Sequence, residues 1–147
     1  MESLRVDARL DALAAIGAFV MQAAEHAGID KRAAYRLRLA VDEIATNIVV
    51  HGRPAERGVD DDILVSAQVD DRSLVLTLED SGPAFNPLEH ETPEELLDKS
   101  MDERPIGGLG VFLAIRGVDQ FRYERDGTRN RNVFVVHRAT PPAAGTP

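Results

Sequence analysis

The sequence predicts a two-layer α/β sandwich of the α+β kind, with a mostly antiparallel sheet of four or five strands and three helices on one face. Two long segments near the N-terminus carry apolar residues at three- and four-residue steps, the spacing of a helix face. Two later stretches, 63–78 and 120–138, alternate apolar and polar residues around turn signals and read as hairpins. In order the segments run β-α-α-β-β-α-β-β, with a long connection before the last helix.

Residues 3–6 read as a short first strand, with Asp7 placed as a helix N-cap. Leu10, Leu13, Ile16, Val20, Ala23 and Ala27 form the apolar stripe of the first helix, which Gly28 closes. Asp30 caps a second helix running to about His51, whose inner face is Leu37, Val41, Ile44 and Ile48. Gly52 and Pro54 stop it, and a polar connection dense in charge spans 53–62. Ile63, Val65, Ala67 and Val69 then alternate with polar neighbours, 70–73 turns the chain, and Leu74, Leu76 and Leu78 alternate again. The stretch 80–110 is long for a connection and holds Pro83, Pro87, Pro93 and Pro105, with a capping box at Thr92-Pro93-Glu94-Glu95. Connections of that length are functional lids or disordered segments. A third helix starts near Gly110, with Phe112, Ile115 and Val118 inward and Gly117 inside it, a glycine that costs about 1 kcal/mol relative to alanine. The last hairpin pairs 120–125 with 132–138 across Asp126-Gly127-Thr128. One domain over 1–138 and a disordered tail over 139–147, rich in Pro, Ala and Gly, complete the expected organisation.

Composition narrows the function. Seventeen Lys and Arg against 25 Asp and Glu leave a net charge of −8, the wrong sign for a general nucleic-acid binder. There is no cysteine, which excludes disulfides, thiolate metal sites and thiol nucleophiles. The four histidines, His26, His51, His90 and His137, show no metal-ligand spacing. Charges through the first residues fit no secretory leader, and the longest apolar run, 12–21, is half of the roughly 20 residues a membrane span needs. A cytoplasmic protein with no membrane contact is expected.

Chemistry can sit in three places. On the second helix, Glu43, Asn47 and His51 stand four residues apart and share one polar row beside the apolar stripe. A carboxylate and an amide there could hold a water, a cation or a hydroxyl, or could simply be the polar shoulder of a surface helix. After the second strand of the first hairpin comes Asp80-Ser81-Gly82, which is ordinary turn chemistry or a carboxylate in an apolar pocket accepting from a heterocycle's amino group. In the second reading Gly82 leaves room for the ring. Finally, Arg104-Pro105-Ile106-Gly107-Gly108-Leu109-Gly110-Val111 runs into a helix, and its glycines let backbone N–H groups converge on an anion. No Gly-Lys-Ser/Thr comes after it, so this is not a Walker loop. Taken in order, these motifs have the layout of a nucleotide site.

With these residues in place, the sequence resembles the GHKL ATPases of the Bergerat fold, and within them the bacterial anti-sigma-factor serine-protein kinases. Ala40 to Asn47 with His51-Gly52 is similar to the family's N box, and Asp80 to Pro87 to the first glycine box. Gly107 to Leu113 is similar to the second glycine box, and Tyr123 to Gly127 to the segment downstream of that box. The resemblance spans about residues 4–138. It implies ATP and Mg²⁺ as cofactors, with Asn47 on the metal, Glu43 as base or orienter for a serine hydroxyl, and Asp80 and Gly82 at the adenine. Ile106, Gly107, Gly108, Leu109, Gly110 and Val111 would wrap the phosphates, and Arg104 is a candidate for the γ-phosphate charge, or a plain surface arginine. His51 lies where sensor histidine kinases of the superfamily usually carry a second asparagine, which favours the serine-kinase branch.

The sequence also departs from the family pattern. Ala84, after Pro83, replaces the second glycine of the Asp-x-Gly-x-Gly pattern. A threonine often found on the last strand is absent where Val133, Phe134, Val135 and Val136 stand, so one hydrogen bond near the base is expected to be missing. The function implied is an ATP-dependent anti-sigma kinase that sequesters a sigma factor, phosphorylates a STAS-domain anti-anti-sigma protein on serine, and forms a homodimer. The alternative is a nucleotide-gated binding protein that sequesters its partner without phosphotransfer; Glu43 discriminates the two, being dispensable to a pure binder.

Overall fold

The structure is a computed structural model and describes residues 2–51, 62–89, 111 and 114–138. Its elements are β1 (Glu2–Asp7), α1 (Leu13–His26), α2 (Lys31–His51), β2 (Asp62–Val69), β3 (Ser73–Asp80), β4 (Gln120–Asp126) and β5 (Arg129–His137). The five strands form one sheet in the order β1-β2-β3-β5-β4, with every neighbouring pair antiparallel. The chain leaves β3 in the middle of the sheet, returns as the edge strand β4, and then fills the gap with β5.

The apolar alternation explains the layers. On β2 the residues Ile63, Val65 and Ala67 are buried, and on β3 Leu74, Leu76 and Leu78, because a strand sends alternate side chains to one face. Ile16, Val20, Ala23 and Ala24 of α1 and Leu37, Ala40, Val41, Ile44 and Ala45 of α2 close over them in one core, which Phe134 and Val136 of β5 complete. Phe121 meets Phe134 edge-on, with ring centres 5.1 Å apart. The opposite face of the sheet is charged: Arg5, Asp62, Glu79, Arg129, Arg131, Glu124 and Arg122 form a chain of ion pairs from β1 to β4.

The fold class, the first hairpin and the Asp30 cap agree with the sequence reading. Asp30 Oδ1 accepts from the Ala33 N–H at 2.9 Å, as an N-cap should. Three expectations are corrected. Asp7 does not cap a helix: it ends β1 opposite Asp62, and a 3-10 turn over Leu10–Ala12 comes before α1, whose start has no side-chain cap. Gly117 lies in the turn after the third helix rather than within it, its N–H donating to the Ala114 carbonyl at 3.0 Å. The last hairpin turns on Gly127 and Thr128 alone, with Asp126 already paired to Arg129, because Gly127 adopts φ 61° and makes a two-residue turn possible. The strand therefore begins three residues earlier than position 132, and Asn130 belongs to the sheet.

Of the third helix, Val111, Ala114 and Ile115 are described as helical, with Val111 and Ala114 buried in the core. Phe112, the connection over 53–61, the capping box at 92–95, the glycine-rich run 104–110 and the tail 139–147 lie outside the described residues. Among the described residues, no helix is long and apolar enough to cross a membrane.

Candidate functional site

At one end of the sheet the helix-facing rungs change from apolar to polar. Leu74, Leu76 and Leu78 face inward on β3, and Asp80 is next in phase. Across the register Asp80 stands opposite Asn130 of β5, and Leu78 opposite Asn132. These three polar side chains are buried at 5 %, 3 % and 2 % exposure for Asp80, Asn130 and Asn132. Above them passes the C-terminal half of α2. Ile44, Asn47 and Ile48, spaced to share a helix face, roof a hollow that Asp80, Asn130, Asn132, Pro83, Phe85 and Pro87 also line. It holds about 360 Å³ of empty space, part of it continuous with solvent.

Asp80 is held by one oxygen. Its Oδ2 accepts from the Gly82 N–H at 2.8 Å and from Asn130 Nδ2 at 3.2 Å. The first bond closes an Asx turn, so the turn chemistry that Asp-x-Gly suggests is real. Oδ1 is buried and has no hydrogen-bond partner among the described residues. Burial pushes the carboxyl's pKa up, and the Gly82 and Asn130 bonds, with Arg129 and Arg125 nearby, offset this only in part. A β-carbon on Gly82 would stand 2.8 Å from Oδ2, so any larger residue there must push the Asp80 carboxylate aside.

Asn130 organises the rim. Its amide nitrogen donates to Asp80 Oδ2, to the Pro83 carbonyl at 3.0 Å and to the Gly82 carbonyl at 3.3 Å. Its oxygen accepts from the Tyr123 hydroxyl and from Arg125 at 3.0 Å. Arg125 also donates to the Gly82 carbonyl at 2.9 Å, and the Phe85 N–H donates to the Tyr123 hydroxyl at 3.3 Å. The last hairpin thus clamps the segment after β3 that walls the hollow. Sequence reasoning missed Asn130 and Asn132; the signal was there in the alternation Asn130, Asn132, Phe134, Val136, once the turn is shortened to two residues.

Of the residues singled out from sequence, Asn47 and Asp80 come together in the hollow, with Gly82 against Asp80. Glu43 stands one turn earlier on α2, half-buried and not among the lining residues. Burial and the neighbouring Asp42 charge raise its pKa. His51 ends α2, its side chain outside the described set; Arg104, Ile106, Gly107, Gly108, Leu109 and Gly110 lie outside the described residues altogether. Val111 is 2 % exposed and packs in the core, so only its main chain is left for a ligand.

The donor set fits a planar heterocycle bearing an amino group. Apolar walls from Ile44, Ile48, Pro83, Phe85 and Pro87 suit the ring, and the orphaned Asp80 oxygen suits the amine. For a metal, the Asn47 side chain would offer one neutral oxygen, and among the described residues no three His, Cys, Asp or Glu cluster to hold an ion.

No curated protein matches this chain. Among solved structures it is similar to the histidine kinase AdeS of Acinetobacter baumannii, at 14 % identity and a TM-score of 0.49, over 93 % of this chain and 68 % of that one. The family model described as "Histidine kinase-like ATPase domain" matches residues 6–135. With the match running from β1 to within β5, the chain belongs to the histidine kinase-like ATPase domain family.

Proposed function

We propose that this protein is an ATP-dependent serine-protein kinase acting as an anti-sigma factor, which sequesters a sigma factor and phosphorylates a STAS-domain antagonist on serine. One observation carries the nucleotide half of the reading. A buried, unpartnered carboxylate oxygen of Asp80 and the Asn47 side chain line one hollow, the first suited to an amino-bearing base and the second to a cation beside its phosphates. ATP, when bound, supplies the phosphoryl group. Asp80 accepts from the base, Gly82 keeps the approach open, and the apolar walls exclude water from the ring. Asn47 holds Mg²⁺. Glu43, one helical turn away, orients the incoming hydroxyl, and its raised pKa suits a group that takes up a proton. The remaining charge neutralisation falls to the glycine-rich sequence 107–110 and Arg104, as phosphoryl transfer needs positioning more than covalent help.

The serine, sigma-factor and STAS assignments, and with them a cytoplasmic homodimer, rest on the resemblance of the N box and glycine boxes. They are tested by adding the protein and its Glu43→Ala variant to an extract of the native host with γ-labelled ATP. The expected result is a new labelled band of STAS size, present with the unmodified protein and absent with the variant. No new band, with Mg-ATP binding demonstrated in the same preparation, would overturn the kinase in favour of a nucleotide-gated binder.

A further inference from the structure

We infer that Asn132 reads the base: its side-chain oxygen and Asp80 Oδ1 together accept both N–H groups of one exocyclic amine. The inference rests on the nucleotide reading above and adds a residue to it. Asp80 Oδ1 and Asn132 Oδ1 are the buried side-chain oxygens left without a hydrogen-bond partner among the described residues. Both belong to residues lining the same hollow. An unpaired buried acceptor opposes folding, so its persistence calls for a use.

The sheet cannot satisfy Asn132. Its cross-strand neighbours are Leu78, which has no side-chain donor, and Tyr123, whose hydroxyl is given to Asn130. Asn130, two residues earlier on the same face, is the opposite case, with partners on both its oxygen and its nitrogen. Asn130 therefore positions Asp80, while Asn132 is left for a ligand. Asp80 and Asn132 are diagonal neighbours on adjacent strands, a separation of roughly 7–8 Å between which one small group can be bracketed. The amine of adenine offers two N–H groups to two acceptors. Guanine would set a carbonyl oxygen against the same two oxygens and be repelled.

The test compares ATP with purine riboside triphosphate, which has hydrogen in place of the amine, by calorimetric titration of the full chain. For the unmodified chain a preference for ATP of roughly a hundredfold is expected, about tenfold per hydrogen bond. Asn132→Val should weaken ATP about tenfold and leave the analogue unchanged, so that the preference falls to about tenfold. Its ligand-free melting temperature should hold or rise, because a buried unpaired amide has been removed. Should the valine variant not fold, Asn132→Leu, closer to asparagine in shape, replaces it. An unchanged preference in the variant, or equal weakening of both ligands with a lower melting temperature, would overturn the inference. Unmodified protein that prefers ATP only about tenfold, with the same preference in Asn132→Val, would overturn it while leaving the Asp80 contact and the proposed function standing, whereas protein that binds ATP and the analogue equally, or binds neither, would overturn the Asp80 contact as well.

Discussion

Replacing Asp80 by asparagine separates what the residue does for the fold from what it does for a ligand. Asp80 Oδ2 accepts from Gly82 and Asn130, and an asparagine oxygen can accept from both in its place. The amide nitrogen then occupies the position of Oδ1, the buried oxygen without a partner among the described residues. A donor now faces the donor of the base. The loss is a hydrogen bond to a charged acceptor, about 1.5–3 kcal/mol. That is about ten- to a hundredfold in Kd for ATP. Stability should move the other way. Burial raises the Asp80 pKa, which means the ionised carboxylate opposes folding at neutral pH, and a neutral amide removes that opposition. Calorimetric titration with ATP and a thermal melt on the same preparation of Asp80→Asn measure both effects. Binding within about threefold of the unmodified chain would refute the assignment of Oδ1 to the ligand. A markedly lower melting temperature would refute the view that the charge is there for binding rather than folding.

Gly82→Ala places a β-carbon 2.8 Å from Asp80 Oδ2 and must displace the carboxylate; ATP affinity should fall by about tenfold or more, read by the same titration. Asn130→Leu removes the amide that joins Asp80, Gly82 and Pro83 to Tyr123 and Arg125, and should cost about 2–4 kcal/mol in a denaturant unfolding series. The pH dependence has a definite sign. Because the folded Asp80 pKa is raised above its unfolded value, the folded state holds this proton more tightly, and Asp80 contributes stability as pH falls through that interval. ATP affinity should weaken over the same descent as Oδ1 gains a proton, starting above the ordinary carboxylate range, and titrations at stepped pH on the unmodified chain check it.

What the sequence disclosed and what it hid have physical reasons. Local signals were reliable: Asp30 before α2, the alternation around 70–73, and the three-four spacing of Leu37, Val41, Ile44 and Ile48 all report on neighbouring residues. Asp7 misled because a good capping residue is equally good at the end of a strand, and pairing with β2 decided the matter. The placement of β5 between β3 and β4 is a non-local choice that no short window contains. Asn130 and Asn132 were hidden for a related reason: inward-facing strand positions are recognised by being apolar, and these two are polar because the site is there. Likewise, Glu43 and Asn47 share a helix face, yet only the latter reaches the hollow, since the end of the roof that lies over Asp80 depends on how α2 crosses the sheet.

The central claim is that the polar end of the β3–β5 ladder, under α2, is where the base of ATP sits. Titrating ¹⁵N-labelled protein with Mg-ATP tests it most directly. Saturable shifts are predicted for the Gly82 backbone amide and the side-chain amides of Asn47, Asn130 and Asn132, with β1 and the start of α1 unmoved. Saturable binding that leaves those four resonances in place and moves another surface would contradict the account.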